Sequence, residues 1–234
     1  MCAIIYYKVL FNDRSDEMTT TAVNGMEKVE LHLRKMGDLA QELMKMAIEA
    51  LRDQNMDLAR KVIERDDQID NLEIVIQEEI ERMLSAGSQV GFDVRRKIAA
   101  LKIAQDLERI GDYATNIAEV VLELKNETFM KPLIHIPQLA VLAMNMVATV
   151  LKAFLEENTD LAEAVCRKDE EADNLYSEIC EELVRIIGKE ADPRKAYQAS
   201  RFLLIAEWLE RTADHTTNIG EETIYITTGK RVKY

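Results

Sequence analysis

The chain contains 234 residues, of which 30 are Lys or Arg and 43 are Asp or Glu, so its formal net charge is −13. A nucleic-acid-binding protein neutralises phosphates with clustered basic side chains, and this composition argues against that class. With 8 Gly and 3 Pro, the sequence has too few turn residues for a many-stranded sandwich or barrel, while 47% hydrophobic residues suffice for a substantial core. An all-α fold is therefore predicted.

The cysteines, the N-terminus and the most apolar segment carry no redox or targeting motif. Cys2, Cys166 and Cys180 form no C-x-x-C pair, which favours a reducing cytoplasmic environment. Polar residues interrupt residues 139–155, so this segment predicts a buried helix rather than a membrane span. Residues 1–25 lack the features of a secretory signal and are interpreted as an N-terminal extension outside the fold.

The main feature of the sequence is an internal repeat. Leu58 to Met83 matches Leu161 to Ile186, 103 residues later, and Leu101 to Glu119 matches Leu203 to Glu221 with an offset of 102. Self-similarity at a nearly constant offset indicates a tandem duplication. The predicted domains are accordingly repeat one, residues 26–125, and repeat two, residues 136–228.

Each repeat is predicted to be a bundle of three helices. In repeat one, the apolar spacing and the start and stop signals place helices at residues 26–53, 56–86 and 92–124. Asn55 is the expected N-cap of the second helix, and Asn158 or Thr159 takes this role in repeat two. Asp192 is expected to cap the last helix, where Pro193 suits the first helical position. The fold class is therefore all-α, with two tandem three-helix bundles.

Both repeats carry acidic residues in pairs separated by four positions, which share one helix face. The pairs are Asp66 with Asp70, Glu108 with Asp112, Asp169 with Asp173, and Glu210 with Asp214. Like charges at this spacing repel by about 0.2–0.5 kcal/mol, whereas a multivalent cation converts them into oxygen ligands. The recurrence of the repulsion in both repeats favours metal binding.

The register of an antiparallel helix pair supports the same hypothesis. Residues at one level of such a pair have a constant sum of residue numbers. Asp66 with Asp112 gives the same sum as Asp70 with Glu108, and the acids of repeat two obey the same rule. Each repeat is therefore predicted to place four carboxylates side by side, two on each of two adjacent antiparallel helices. Because Glu108 and Asp112 lie opposite the apolar stripe of their helix, a surface patch is expected.

Other interpretations of these residues remain open at this point. The acids can belong to solvated helix faces that pair with nearby Lys or Arg. Arg109 and Arg211 either neutralise the acids or bind an anion beside the metal. His32 and His135 are interpreted as structural, and His215 is no general ligand because repeat one has a tyrosine in its place. The oxygen-only ligand set favours Mg, Mn, Ca or Fe over Zn.

The duplicated motifs D-x-x-x-D-N-L and L-E-R-x-x-D-x-x-x-N-I resemble those of the PhoU family, the phosphate-specific transport system accessory proteins. The resemblance extends from about residue 27 to residue 228. It implies two three-helix bundles whose E(D)-x-x-x-D motifs bind metal ions, iron or zinc among them, on the protein surface. The eight matching positions are Asp66, Asp70, Glu108, Asp112, Asp169, Asp173, Glu210 and Asp214.

The resemblance also implies a function. Family members act in the cytoplasm as negative regulators of phosphate uptake and of the phosphate-starvation response, through contacts with the phosphate ABC transporter ATPase and a sensor histidine kinase. They commonly form homodimers. We therefore expect an adaptor that is not an enzyme, binds no nucleic acid and does not insert into the membrane. Its cofactor is expected to be a divalent or trivalent ion: iron, zinc, manganese or magnesium.

Two alternatives come from other classes of protein. One is a carboxylate-bridged metalloenzyme that acts on phosphate esters or on metal redox chemistry. The other is a purely structural helical scaffold. No nucleophile and base spacing and no glycine-rich phosphate loop occurs in the sequence, which favours a binding protein over both hydrolases and kinases.

Overall fold

The computed structural model describes residues 3–87, 91–125, 127–189 and 191–234, with side chains from Gly25 onward. Within these ranges the chain forms eight α-helices and no strand. They are α1 (Ala3–Asp53), α2 (Met56–Arg65), α3 (Asp67–Ser85), α4 (Phe92–Glu123), α5 (His135–Leu155), α6 (Thr159–Cys166), α7 (Asp169–Ile187) and α8 (Pro193–Thr228). The all-α fold and the repeated bundle are confirmed.

The predicted N-terminal extension over residues 1–25 falls mostly on positions outside the described side chains. The backbone of α1 is helical from Ala3. Residues 1 and 2, and the side chains of residues 3–24, lie outside the described part of the chain. The proposed extension therefore stays a prediction.

The second predicted helix of each repeat is interrupted. In repeat one, α2 ends before Asp66, whose N–H donates to the carbonyl of Ile63, three residues back, at 3.4 Å. In repeat two, Lys168 donates to the carbonyl of Val165 at 2.9 Å in the same way. Between Ile63 and Ile69 the sequence has no apolar residue. Polar contacts hold this turn instead, with Arg65 paired to Glu42 of α1 at 2.6 Å, and the chain tightens there rather than continuing as one helix of residues 56–86.

The predicted helix caps are confirmed. The side chains of Asn55 and Asn158 accept hydrogen bonds, each 3.0 Å long, from the backbone N–H three residues later. Asp192 caps α8, which begins at a proline. Gln54 and Glu157, which precede the asparagine caps, both have left-handed backbone angles, with φ of 49° and 52°. The duplication thus extends to the backbone conformation of the connecting turns.

One continuous hydrophobic core joins the two repeats. α1 packs against α5 and α4 packs against α8, and buried side chains of both repeats form a single cluster. The α1–α5 contact is close at Gly37, where an added methyl group would lie 2.0 Å from Cδ1 of Leu151. α5 is long and apolar enough to cross a membrane by length and composition, and half of its most apolar stretch is buried inside the protein.

The helices that carry the candidate acids also approach closely. On α4, a methyl group added at Gly111 would lie 2.6 Å from Cδ1 of Ile69 on α3. In repeat two the equivalent positions hold Ala213 and Ala172, both fully buried. A smaller residue on α7 therefore makes room for a larger one on α8. The helices therefore pack closely in both repeats, because isoleucine packs on glycine in repeat one and alanine takes both positions in repeat two.

This exchange yields a stability prediction. We expect Gly111→Ala to destabilise the protein, because the clash with Ile69 costs about 1–3 kcal/mol, which exceeds the helix propensity that alanine adds. In an Ile69→Ala background the same change should stabilise by about 1 kcal/mol, because the space is then open. Urea unfolding of the four proteins measures the coupling. Equal effects of Gly111→Ala in both backgrounds would contradict the packing described here.

Candidate metal sites

The eight candidate acids lie along two contacts between neighbouring helices, which we call seams. One seam lies between α3 and α4 in repeat one, and the other lies between α7 and α8 in repeat two. In repeat one, Asp66 and Asp70 at the start of α3 lie near Glu108 and Asp112 of α4. Loss of hydration raises the pKa of the first three of these carboxyls, and the negative charge of Asp112 raises each of them further. The structure therefore brings the four acids of repeat one together, at the level that the register predicted.

Repeat two shows larger shifts of the same kind. Burial raises the pKa of Asp169 to about 6, and the charges of Asp214 and Asp173 contribute to this shift. Burial likewise raises the pKa of Glu210 to about 7, again with contributions from Asp214 and Asp173. A seam in which carboxylates are this costly to ionise is one where a cation would be stabilising.

The expectation of a surface patch holds only for part of the seam of repeat two. Asp173 and Asp214 are exposed, whereas the other six acids are half-buried. The reason is that α2 and α3 cover the outward face of α4, and α6 and α7 cover that of α8. The acids lie in shallow clefts between helices, opposite the shared core.

The two arginines that follow the glutamates differ in their partners. Arg109 pairs with Asp112 at 2.9 Å and lies 3.4 Å from Glu108, so it neutralises two of the candidate ligands in repeat one. Arg211 pairs instead with Glu207 at 2.9 Å. Both arginines therefore pair with acids. Arg211 forms its ion pair outside the candidate set, although its charge also lowers the pKa of Glu210 and of Asp214. Among the described residues, Glu210 forms no ion pair.

The acids present a suitable donor set for a hard cation, although their side chains do not yet converge. Within the described ranges, no three acidic, His or Cys side chains are placed to hold one ion. However, Oδ1 of Asp169 is buried without a hydrogen-bond partner of regular geometry, as is Oγ1 of the nearby Thr217. A buried acceptor without a partner costs free energy, which a bound cation would recover. The chemistry of these residues thus suits a hard cation, while their side-chain positions in the described ranges do not form a metal site.

A pair of threonines belongs to the same seams and was not among the predicted residues. The hydroxyl of Thr115 lowers the pKa of Asp66, and that of Thr217 lowers the pKa of Asp169, each against the larger effect of burial. Both threonines stand three residues after the last acid of the repeated motif. Their recurrence in the two repeats was the signal that could have identified them.

His215 joins the two repeats rather than a candidate site. Its Nε2 lies 3.2 Å from the hydroxyl of Tyr113, and its Nδ1 lies 2.8 Å from Oδ1 of Asp106. Because Tyr113 and His215 occupy equivalent positions, their contact marks a local two-fold relation between α4 and α8.

His32 and His135 are equivalent too, and each belongs to a repeated group of Lys, His and Glu. In repeat two, Glu182 on α7 pairs with Lys131 and lies 3.4 Å from Nδ1 of His135. The matching residues of repeat one are Lys28, His32 and Glu79, whose charges influence one another. The group of repeat two ties α5 to α7, whereas in repeat one Glu79 pairs with Arg82 of its own helix and affects His32 through its charge. Both findings agree with the structural interpretation of the two histidines.

Comparison with known proteins identifies the family. A family model described as the PhoU domain matches residues 33–121 and 136–223, one match in each repeat. The phosphate-specific transport system accessory protein PhoU homologs of Clostridium acetobutylicum and Aquifex aeolicus are 34% and 36% identical to this chain. The alignments cover 88% and 89% of this chain and 94% of each relative.

Solved structures agree with the sequence relatives. The crystal structure of PhoU from Pseudomonas aeruginosa has a TM-score of 0.84 and 33% identity, and the match covers 88% of this chain and 99% of that one. The phosphate transport system regulatory protein PhoU from Streptococcus pneumoniae has a TM-score of 0.83 and 28% identity, over 91% of this chain and all of that one.

The raised pKa values predict an unusual dependence of stability on pH. The unfolded carboxyls titrate near pH 4, whereas Asp169 and Glu210 titrate at about 6 and 7 when folded. Between these values the folded protein binds more protons than the unfolded one, so its free energy of unfolding should fall as the pH rises. Chelator-treated protein should show this fall in Tm between pH 5 and 7.5.

A variant supplies the control for this measurement. Asp169→Asn with Glu210→Gln removes both titrating groups, so its Tm should decline less over the same pH interval. An identical decline in the variant and the parent protein would show that these two carboxyls are not responsible.

Proposed function

Since the chain belongs to the PhoU family, we propose that it is an accessory regulator of phosphate uptake, a cytoplasmic adaptor between the phosphate ABC transporter and a sensor histidine kinase. As a negative regulator, it lowers uptake and the starvation response when phosphate is plentiful. The observation that carries the proposal is the match of the PhoU domain to both repeats, together with relatives named as phosphate transport accessory proteins along nearly their whole length. The accessory names of these relatives favour a role without catalysis.

Metal binding is part of the proposal. The ligands would be Asp66, Asp70, Glu108 and Asp112 in repeat one and Asp169, Asp173, Glu210 and Asp214 in repeat two. The ion would be iron, zinc, manganese or magnesium. The observations in support are the placement of the acids on neighbouring helices, the carboxyl pKa values raised by burial and by the other acids, and the buried Oδ1 of Asp169, which has no hydrogen-bond partner of regular geometry. A bound cation would offset the repulsion between the acids and fix the helices that form each seam.

The adaptor also has to present a partner-binding face, and two copies are proposed to associate as a homodimer. The single core that joins the repeats makes the two bundles one body, so a contact on either repeat is rigidly related to a contact on the other. This rigidity suits a protein that must recognise a transporter subunit and a kinase with one surface.

Metal analysis tests the proposed ligands. A variant with Glu108→Gln, Asp112→Asn, Glu210→Gln and Asp214→Asn should retain little of the iron, zinc, manganese or magnesium that the parent protein binds, because half of the carboxylates of each site lose their charge. Elemental analysis after purification without chelator measures the content, and circular dichroism checks the fold.

The matched control changes four acids outside the seams. Asp57→Asn, Glu78→Gln, Asp160→Asn and Glu181→Gln remove the same charge from exposed positions of both repeats. This variant should keep the metal. Full metal content in the seam variant would remove metal binding at these residues from the proposal.

Affinity capture tests the adaptor role. Full-length protein recovered from cells grown in high or low phosphate should bring down the transporter ATPase and the sensor kinase, in amounts that depend on phosphate. Absence of both partners under both conditions would contradict the adaptor function. Turnover of a phosphate ester that follows the bound metal would instead favour the metalloenzyme.

A further inference from the structure

One face of α5 is exposed to solvent and carries almost no charge. Between Leu133 and Leu151 the sequence has one ionisable residue, His135, and this histidine lies against Glu182 of α7 at 3.4 Å. Five exposed positions follow one another at helical spacing and form a ridge: Ile134, Val141, Asn145, Ala148 and Lys152. A surface helix normally carries charged residues on its outer face, yet Val141 is 62% exposed.

The equivalent face of α1 provides a comparison within the same chain. At the positions equivalent to Val141, Asn145 and Ala148, α1 has acidic and basic side chains: Asp38, Glu42 and Lys45. The fold therefore accepts charges at these positions, and the packing of α5 on the core does not require an uncharged ridge. The ridge indicates a contact that the described part of the chain does not supply.

A groove runs beside the ridge, between α5 and α1. It has a volume of about 400 Å³, and apolar side chains of both helices line it. At the other end of the same helix pair, Leu151 lies over Gly37. The equivalent positions, Ile48 and Ala140, both line the groove. One end of the helix pair is thus filled by its own side chains, whereas the other end is open.

A charge at the groove complements a charge on the ridge. Glu49 and Arg52 border the groove on α1, and Arg52 pairs with Asp53 at 2.7 Å. Within the described ranges, Glu49 and Lys152 form no ion pair. They lie about 20 Å apart along the antiparallel helices, at 1.5 Å per residue. A pair between them can therefore form only between two copies of the chain.

We propose that the ridge of α5 and the adjacent groove form the interface of a symmetric dimer, in which the α5 helices of two copies pack antiparallel. The inference assigns a surface to the homodimer of the proposed function and rests on it. With the two-fold axis between Met144 and Asn145, Val141 lies level with Ala148 of the second copy, so large side chains meet small ones. Lys152 then lies level with Pro137 of the second copy, at the mouth of its groove.

Lys152 and Glu49 supply the electrostatic part of this contact. The methylene groups of Lys152 cover the apolar groove of the second copy, while its ammonium group reaches Glu49 at the rim. Two-fold symmetry forms this ion pair twice. The rest of the ridge has no charge to desolvate, as is typical of the centres of protein interfaces.

The charge of the chain favours a second copy over a lipid surface as the occupant. Anionic membranes attract clusters of basic residues, whereas this chain has a net charge of −13 and its ridge carries one lysine. Acidic surfaces of two copies repel each other. An uncharged ridge with a complementary ion pair is therefore a place where two copies can approach.

Sedimentation velocity of the full chain over a range of concentrations tests the interface. The contact is one helix wide, so we expect a buried area at the lower end of specific interfaces, about 1,200 Å², and a dimer that dissociates on dilution. Asn145→Asp, a nearly isosteric change, brings two like charges together beside the axis and should weaken the dimer about 100-fold. Gln77→Glu adds the same charge at an exposed position of α3 and should have no effect.

Charge reversal tests the register. Lys152→Glu should weaken the dimer about 10-fold, because it faces Glu49 of the second copy, and Glu49→Lys should do the same because it faces Lys152. The two changes combined should restore the dimer, since they re-form the pair with reversed charges. Lys61→Glu, at an exposed position of α2, is the matched control. A double variant weaker than either single variant would overturn the register.

The outcomes distinguish this inference from the proposed function. A dimer that Asn145→Asp leaves unchanged would overturn the α5 interface, while the homodimer would stand. A monomer at every concentration would overturn the interface and the homodimer together, but not the regulatory role, which affinity capture tests. A monomer that binds vesicles of phosphatidylglycerol and phosphatidylcholine, and loses this binding on Val141→Asp, would assign the ridge to a membrane instead.

Discussion

The rest of the structure depends on one feature of α4 and α8: other helices pack against both of two opposite faces of each. One face of each helix supplies apolar residues to the shared core, and the other carries the acids and lies under α2 and α3 or α6 and α7. A helix covered on both sides is normally apolar all round. Here one of the covered faces is acidic, so six carboxylates are held in half-buried clefts where their charges oppose one another. The raised pKa values are the direct result of this arrangement, and they make the clefts suitable for cations.

The duplication provides an internal comparison for every part of the molecule. Residues that recur in both repeats with the same local role are the asparagine caps, the left-handed turn residues and the threonines of the seams. The groups of Lys, His and Glu recur with different ion pairs. Residues that diverge do so in compensated ways, as with Gly111 and Ile69 against Ala213 and Ala172. Tyr113 and His215 differ at equivalent positions, and they contact each other where α4 meets α8.

Much of this architecture was predictable from the sequence. The repeat offset, the caps at Asn55 and Asn158 and the level of the acids follow from helical spacing, which is local and regular. The break at Asp66 was missed because a polar interval in an amphipathic helix permits either continuation or a tightened turn. The sequence also could not show whether Arg211 pairs with Glu207 or with Glu210. The pairing depends on side-chain conformations on α8 and on the nearby Tyr113. The half-burial of the acids could not be predicted, because it depends on how α3 lies over α4. A helical wheel of a single helix carries no information about the helix that covers it.

The single core that spans both repeats has a thermodynamic consequence. Because buried side chains of both repeats pack into one contiguous cluster, we expect the repeats to share one folding equilibrium. A ligand that binds only the folded chain at one cleft then raises the folded population, and with it the number of intact clefts on the other repeat. Near the midpoint of unfolding, two remote ligands must therefore help each other to bind, even if neither changes the shape of the folded protein. The linkage follows from chain connectivity and shared burial, and it needs no signal transmitted between the two clefts.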